Sequence, residues 1–303
     1  MKFEKFLKIS NKKYISNNHP VFIIAEIGVN HEGNYRKCLK LINLANKAGA
    51  DAIKIQLANP DTNYNKYSKS YKIYKKSFFN NNQIKNIYKY AKRKNIILFA
   101  TADSYYFEII KKLNQKLFKI SSSQAQDLVM IQKINKLNKP MIISTGMNTF
   151  EEVISIINFL KKLKNKKIIL LHCISKYPTK KEEANISMIN LLKKTFNGIV
   201  GYSDHTKGIA VSSLAVAMGA KVIEKHFTDD TSRKGYDHKI SSDYSEFKNM
   251  VKNIRVTEEI IGSKYKNNSI KKTDKIKLLK RSFFAKKNLK KGKKLKLNDL
   301  YTR

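Results

Sequence analysis

GIVGYSDHTKGIAVSSLAVAMGAKVIEKHF, residues 198–227, contains one full repeat of the fold. It opens on an apolar run at 198–203 and closes on another at 221–227. Gly219 stands where the helix between them should stop and hand over to the second strand. Just beyond or within each run is a histidine, His205 or His226, with acidic or basic neighbours. A single such histidine is more often a hydrogen-bonded group at a strand end. Two delivered from the ends of successive strands suit one divalent ion facing a pocket, because imidazole is the commonest borderline ligand.

Outward from this unit the same alternation recurs. Strand-like runs fall at 21–28, 52–56, 97–101, 117–122, 140–145 and 168–173, which with the two above makes eight. Most are continuous and rich in Ile and Val, the pattern of parallel strands buried on both faces. Between them 35–48, 84–94 and 150–163 place apolar residues at helical spacing, and Gly49 and Gly198 mark further helix-to-strand handovers. Eight such alternations predict a (β/α)₈ TIM barrel. The competing architecture, an open doubly wound sheet, lacks a GxGxxG loop after the first strand. Residues 59–76, rich in Tyr, Lys and Asn, read as a long loop after the second strand on the catalytic side. A last helix is expected at 247–261, ending at Gly262. The organisation expected is therefore a barrel domain over 1–264, a basic linker over 265–281, and a short module over 282–303 that is too small to bury a core alone.

Composition narrows the class. A chain of 303 residues with 42% hydrophobic content can bury a sizeable core. The net charge of +39 is spread over nearly every helix face and accompanies no nucleic-acid motif, so it reads as solvated surface, with attraction of anionic substrates as a secondary effect. Two cysteines, Cys38 and Cys173, are too few for a disulfide framework and fit a reducing compartment; Cys173 reads as a small buried hydrophobe. No run has the length of a signal peptide or membrane span, so a soluble cytoplasmic protein with no nucleic-acid or membrane partner is expected.

In a barrel the chemistry collects at the C-terminal ends of the strands, and there the polar residues cluster: Glu26, Asn30 and His31; Lys54 and Gln56; Thr101 and Asp103; Lys119, Ser121, Ser122 and Ser123; Ser144 and Thr145; His172 and Ser175; Asp204 and His205; Glu224, Lys225 and His226. Lys54 and Lys119 alternate with apolar neighbours in AIKIQ and FKIS and should point inward. A buried ammonium needs an anion or carboxylate beside it. With the hydroxyls of Ser122, Ser144 and Thr145 and the amide of Gly146 these lysines form a candidate phosphate or carboxylate site; the competing reading is a structural ion pair with Glu26 or Glu224.

AEIGVNHEGN, AGADAIKIQ, FKIS, KPMIISTGM, LLHCISKYP, GYSDHTKG and IEKHFT, in this order, resemble the sialic acid synthase family, over nearly the whole chain from Val21 onward. That resemblance implies a nonulosonic acid synthase: a (β/α)₈ barrel followed by a small antifreeze-like (SAF) domain exchanged within a homodimer, condensing phosphoenolpyruvate with an open-chain N-acylated amino sugar such as N-acetylmannosamine or a diacetamido hexose and releasing phosphate. The end of the chain resembles the linker and first part of the small domain. By the same resemblance His205 and His226 hold Mn²⁺ or Mg²⁺, and Glu26 lies beside the sugar, where its carboxylate is the candidate for moving a proton at the aldehyde or the water. Lys54, Lys119, Ser122 and Ser144 touch phosphoenolpyruvate, and Ser175 stands where the family often has an asparagine reaching the same ligand. Gln56, Tyr177 and Asp237 surround the sugar, and Arg303 is lent to the sugar site of a neighbouring subunit. The family's usual SGE and GPDH read here as Ser122, Ser123, Gln124 and as Gly235, Tyr236, Asp237, His238, so the departures fall on the sugar side. Two other readings are a Schiff-base aldolase with Lys119 or Lys225 as nucleophile, and a non-catalytic barrel scaffold.

Overall fold

Eight parallel strands close into a barrel: β1 (Phe22–Gly28), β2 (Ala52–Leu57), β3 (Leu98–Ala102), β4 (Phe118–Ile120), β5 (Met141–Ser144), β6 (Ile168–His172), β7 (Ile199–Asp204) and β8 (Val222–His226), with β8 pairing back onto β1. These are the eight apolar runs of the sequence, with their ends trimmed or extended by one or two residues. The computed structural model describes residues 2–262 and 279–303, and two compact units, Met1–Ile261 and Gly262–Arg303, divide the chain. The expected linker at 265–281 lies outside the described residues except for its last three positions.

The main helix after each strand packs outside the barrel. They are α1 (Tyr35–Lys47), α2 (Asn81–Arg93), α3 (Ser104–Lys112), α4 (Leu128–Asn135), α5 (Phe150–Lys162), α6 (Met188–Phe196), α7 (Ala210–Ala217) and α8 (Tyr244–Ile261). Capping fixes where they start. Asn80 and Gln83 form a reciprocal box at α2, as Thr149 and Glu152 do at α5; the first box starts α2 three residues before the apolar spacing at 84–94 suggests. Likewise α8 begins at Tyr244 rather than 247. The outward faces of the strands and the inner faces of the helices form one large core that includes Ile23, Ile53, Ile143, Ile157, Leu170 and Ile223.

Inside the barrel a second core forms from Phe22, Ile24, Ala52, Phe99, Leu117, Ile142, Ile169, Leu171, Ile199 and Val222. Leu7, Ile9 and Ile15 join it from the segment before β1. They come from an antiparallel hairpin, Phe6–Lys8 with Tyr14–Ser16, that floors the N-terminal end of the barrel. Sequence reading does not anticipate this hairpin.

Residues 59–76, expected to be a loop, contain two helices instead. Pro60–Asn63 is capped by Asn59 with Pro at its first position, and Lys69–Lys76 is capped by Ser68. In the C-terminal unit Phe283–Ala285 pairs antiparallel with Leu300–Thr302, and the Arg303 amide donates to the Ser282 carbonyl at 3.1 Å. Among the described residues no helix is long and apolar enough to cross a membrane.

Candidate active site

Strand side chains alternate faces, so the inward positions continue from the apolar interior with a step of two. From Phe22 and Ile24 the next is Glu26; from Ala52, Lys54 and Gln56; from Leu117, Lys119; from Ile142, Ser144; from Val222, Glu224 and His226. All of these line a cavity of about 580 Å³ at the C-terminal mouth, joined by His205, Ser122, Ser175, Tyr177 and Asp237. The candidate residues of the barrel thus come together.

At its base lies a buried quartet. Lys54 is paired with Glu26 and lies 3.0 Å from Glu224; Lys119 lies 3.1 Å from the same Glu224 oxygen, which also accepts from Ser203 Oγ at 3.1 Å. Two ammoniums face two carboxylates, so the structural ion pair and the anion-site geometry coexist: an incoming anion competes with Glu26 and Glu224 for these lysines. Burial pushes Lys54 down to about 7 against the pull of Glu224. Burial pushes Glu224 the other way, but Lys119 and Lys54 outweigh it and hold the carboxyl below the usual carboxylate range.

Beside the quartet are hydroxyls with open valences. Ser144 Oγ and Ser175 Oγ are buried without a hydrogen-bond partner, and the Gly146 amide donates to Ser122 Oγ at 3.2 Å. Gly146 is required there: a Cβ would stand 2.6 Å from Cys173 Sγ and 2.8 Å from Ser175 Oγ. Cys173 itself is buried, and burial raises its thiol pKa, as expected of an unreactive cysteine.

The two imidazoles stand with ring centroids 5.5 Å apart, and Tyr177 packs on both. Burial lowers His205 to about 4 and His226 well below its ordinary value, so both rings are neutral at pH 7. His205 Nδ1 lies 2.7 Å from the Ile174 carbonyl, which only accepts, so Nδ1 carries the proton and Nε2 the lone pair. Ser203 Oγ, 3.4 Å from that Nε2, already donates to Glu224, leaving the lone pair free for a ligand. His226 Nδ1 is buried with no hydrogen-bond partner, 3.6 Å from Asp237 Oδ2. Burial raises Asp237 to about 6, with Lys54 opposing. Glu26, Asp237 and Gln56 converge over Gly28, where φ is +57° and a Cβ would stand 3.3 Å from Glu26 Oε1 and 3.5 Å from Asp237 Oδ2.

Parity removes several strand-end candidates from the cavity. Thr145 Oγ1 donates to the Leu171 carbonyl at 3.1 Å, which corrects its place in the expected anion site. His172 Nε2 bonds the Ala184 carbonyl at 3.0 Å. Lys225 is wholly buried outside the cavity, 3.3 Å from Asp204, so its amine is not available as a Schiff-base nucleophile. Lys119 does line the cavity. Arg303 lies in the C-terminal unit.

Sequence reading placed residues 59–76 on the catalytic side but did not identify the residues by which they wall the cavity. Asn63, Tyr64, Ser70, Ile73 and Tyr74 line the cavity, Tyr64 stacks on Tyr74 at 4.8 Å, and Tyr74 donates to Gln56 Oε1 at 2.5 Å. Because that acceptor is occupied, the Gln56 amide offers its NH₂ to a ligand. Asp103 anchors the wall by accepting from the Asn59 amide at 2.5 Å and from the Asn63 side chain. The available signal was Ser68, an N-cap three residues before Tyr71.

The model of the NeuB family matches residues 41–266. The chain is 39% identical to a pseudaminic acid synthase of Campylobacter jejuni strain 81-176, over 90% of this chain and 83% of that one. It is 37% identical to an N,N'-diacetyllegionaminic acid synthase of Campylobacter jejuni strain NCTC 11168, over 93% and 89%. A crystal structure of the N-acetylneuraminic acid (sialic acid) synthetase from Leptospira borgpetersenii superposes with a TM-score of 0.84 at 30% identity, covering 92% of this chain and 98% of that one.

Proposed function

The chain belongs to the NeuB family, and we propose that it condenses phosphoenolpyruvate with an open-chain N-acylated amino sugar, releasing phosphate. The observation that carries this reading is the meeting, in one cavity, of two neutral imidazoles with the Glu26, Lys54, Glu224 and Lys119 quartet and the unpartnered hydroxyls of Ser144 and Ser175. The names of the similar proteins, synthases of nonulosonic acids, support an enzyme of that kind.

Lys54 and Lys119 hold the phosphate and carboxylate of phosphoenolpyruvate, with Ser122, Ser144 and Ser175 donating hydroxyls, which turns a two-substrate encounter into a positioned one. Gln56, Tyr177 and Asp237 hold the sugar with its aldehyde toward the imidazoles. Carbon 3 of phosphoenolpyruvate forms the new bond to the aldehyde carbon, water adds at carbon 2, and phosphate leaves from the resulting tetrahedral centre. Glu26 moves the proton at the aldehyde oxygen or the attacking water. Asp237, poised near pH 6, shares that neighbourhood.

His205 and His226 would hold a divalent ion, Mn²⁺ or Mg²⁺, and the free Nε2 of His205 and orphaned Nδ1 of His226 fit it. Among the described residues no three His, Cys, Asp or Glu side chains are grouped to hold an ion by themselves, so water or substrate oxygens complete the site. When bound, the ion supplies Lewis acidity at the aldehyde oxygen. In this reading Arg303 serves the sugar of a neighbouring copy in a homodimer, and 282–303 corresponds to the start of an antiparallel-paired SAF module.

Phosphate release from phosphoenolpyruvate, screened against N-acetylmannosamine and diacetamido trideoxyhexoses, tests the reaction. Chelator should abolish turnover and Mn²⁺ or Mg²⁺ restore it. His205→Ala and His226→Ala should lose at least about a thousandfold of kcat/KM, on the order of 4 kcal/mol of transition-state stabilisation. Full activity of either variant in chelator overturns the metal assignment.

A further inference from the structure

The mechanism leaves unused the most deeply buried charges of the barrel wall. Asp204 and Lys225 are both fully buried on the outer side of β7 and β8, where they are direct register partners, 3.3 Å apart. Each immediately precedes one of the two imidazoles: Asp204 leads to His205, and Lys225 leads to His226. Because successive side chains take opposite faces, whatever fixes Asp204 and Lys225 outside the wall fixes His205 and His226 inside it.

The pair is tied on every side. Asp204 Oδ1 accepts from the Thr206 amide at 2.9 Å and from Thr206 Oγ1 at 2.7 Å, and Oδ2 accepts from Ser212 Oγ of α7 at 2.7 Å. Lys225 also donates to the Thr206 carbonyl at 2.5 Å. Thr206 follows His205, so the chain on both sides of that imidazole is clamped to the residue before His226. On the inside neither imidazole has a bond that would set their spacing: His205 is held by the Ile174 carbonyl of another loop, and His226 Nδ1 has no partner.

We propose that the Asp204–Lys225 pair, with Thr206, is a positioning device that sets the separation and ring orientation of His205 and His226. A buried ion pair is weak support for stability compared with apolar residues of similar volume, so its placement behind the two imidazoles points to geometry instead. Lys225 and Asp204 are positioning residues, acting through the histidines they precede.

The test uses Lys225→Met in the full chain. Asp204 keeps its three other hydrogen bonds in this variant, and Asp204→Asn/Lys225→Met, which leaves no lone buried charge, serves as a second variant. In protein labelled with ¹⁵N at histidine, either variant should shift the side-chain resonances of His205 and His226 and leave those of His172 and His238 in place. Ile157→Ala, a core truncation in α5, is the stability control and should shift none of the four. This readout needs no metal. The functional consequence rests on the metal reading above and is measured separately, as Mn²⁺ affinity without substrate: about 10- to 100-fold weaker in Lys225→Met, with the Michaelis constant for phosphoenolpyruvate within about twofold of wild type, the range expected for residues that orient ligands. Wild-type protein that fails to bind Mn²⁺ sinks the metal reading and leaves the resonance test standing. Unmoved His205 and His226 resonances, or equal movement in Ile157→Ala, overturn the positioning role.

Discussion

The two ends of the barrel interior are built from the same strands and the same alternation, yet they hold opposite contents. Below, Phe22, Ile24, Phe99, Leu117, Ile142 and Val222 meet Leu7, Ile9 and Ile15 of the hairpin in an apolar plug. One step of two residues further along the strands stand Glu26, Lys54, Lys119, Ser144 and Glu224. The change from apolar to charged within one step shows where stability is made and where it is given up: the lower layers supply burial energy, and the upper layer holds charges whose desolvation that energy must offset.

The largest effect separating the two ends should come from the floor. Leu7→Ala and Ile15→Ala each remove a fully buried branched side chain and should cost about 2 to 5 kcal/mol of unfolding free energy. Urea denaturation reads this, and the Michaelis constants of the folded enzyme should be unchanged. A floor variant that alters substrate affinity would break the division of labour. Next in size, Lys54→Met should raise the Michaelis constant for phosphoenolpyruvate about 10- to 100-fold, the worth of one charged contact, and that for the sugar much less. If only the sugar constant moved, the two substrates would have to exchange places in the cavity. The smallest effect is that of pH. Burial sets Lys54 near 7, so its ammonium is present below that value and is lost above it. Phosphoenolpyruvate affinity should therefore be complete below pH 7 and fall by up to about tenfold per unit as pH rises through it; an affinity flat from pH 6 to 8 would show that Lys54 keeps its proton.

How much of this was legible in the sequence follows the same boundary. The eight strands were readable because continuous Ile and Val runs need both faces buried, and Lys54 and Lys119 stood out as charges inside such runs. The floor was not readable: Leu7 and Ile15 lie in strands of only three residues and Ile9 just beyond the first, in a stretch rich in lysine and polar side chains, and their role exists only once a barrel has an open end to cover. Position near a strand end also did not say which face a side chain takes. Thr145, His172 and Lys225 are as close to the mouth in sequence as Ser144 and His226, but their parity turns them away. The helical structure of 59–76, expected on the catalytic side as a loop, was hidden for a different reason. The helix Lys69–Lys76 is eight residues long with no fully buried residue, and Tyr71, Ile73 and Tyr74 are its few apolar groups among four lysines, so Ser68 was the clearer signal.

The hairpin floor has a kinetic corollary. A barrel stopped at one end has a single door, and its binding positions are arranged in depth: Lys54, Lys119 and Ser144 are almost inaccessible, whereas Tyr177 and Met147 stand about half exposed at the rim. In the proposed reaction the phosphoenolpyruvate must pass the rim before the sugar occupies it, and the phosphate formed at the bottom departs after the product above it has cleared. Traffic is first in, last out, with free phosphate competing for the position that the first substrate must reach.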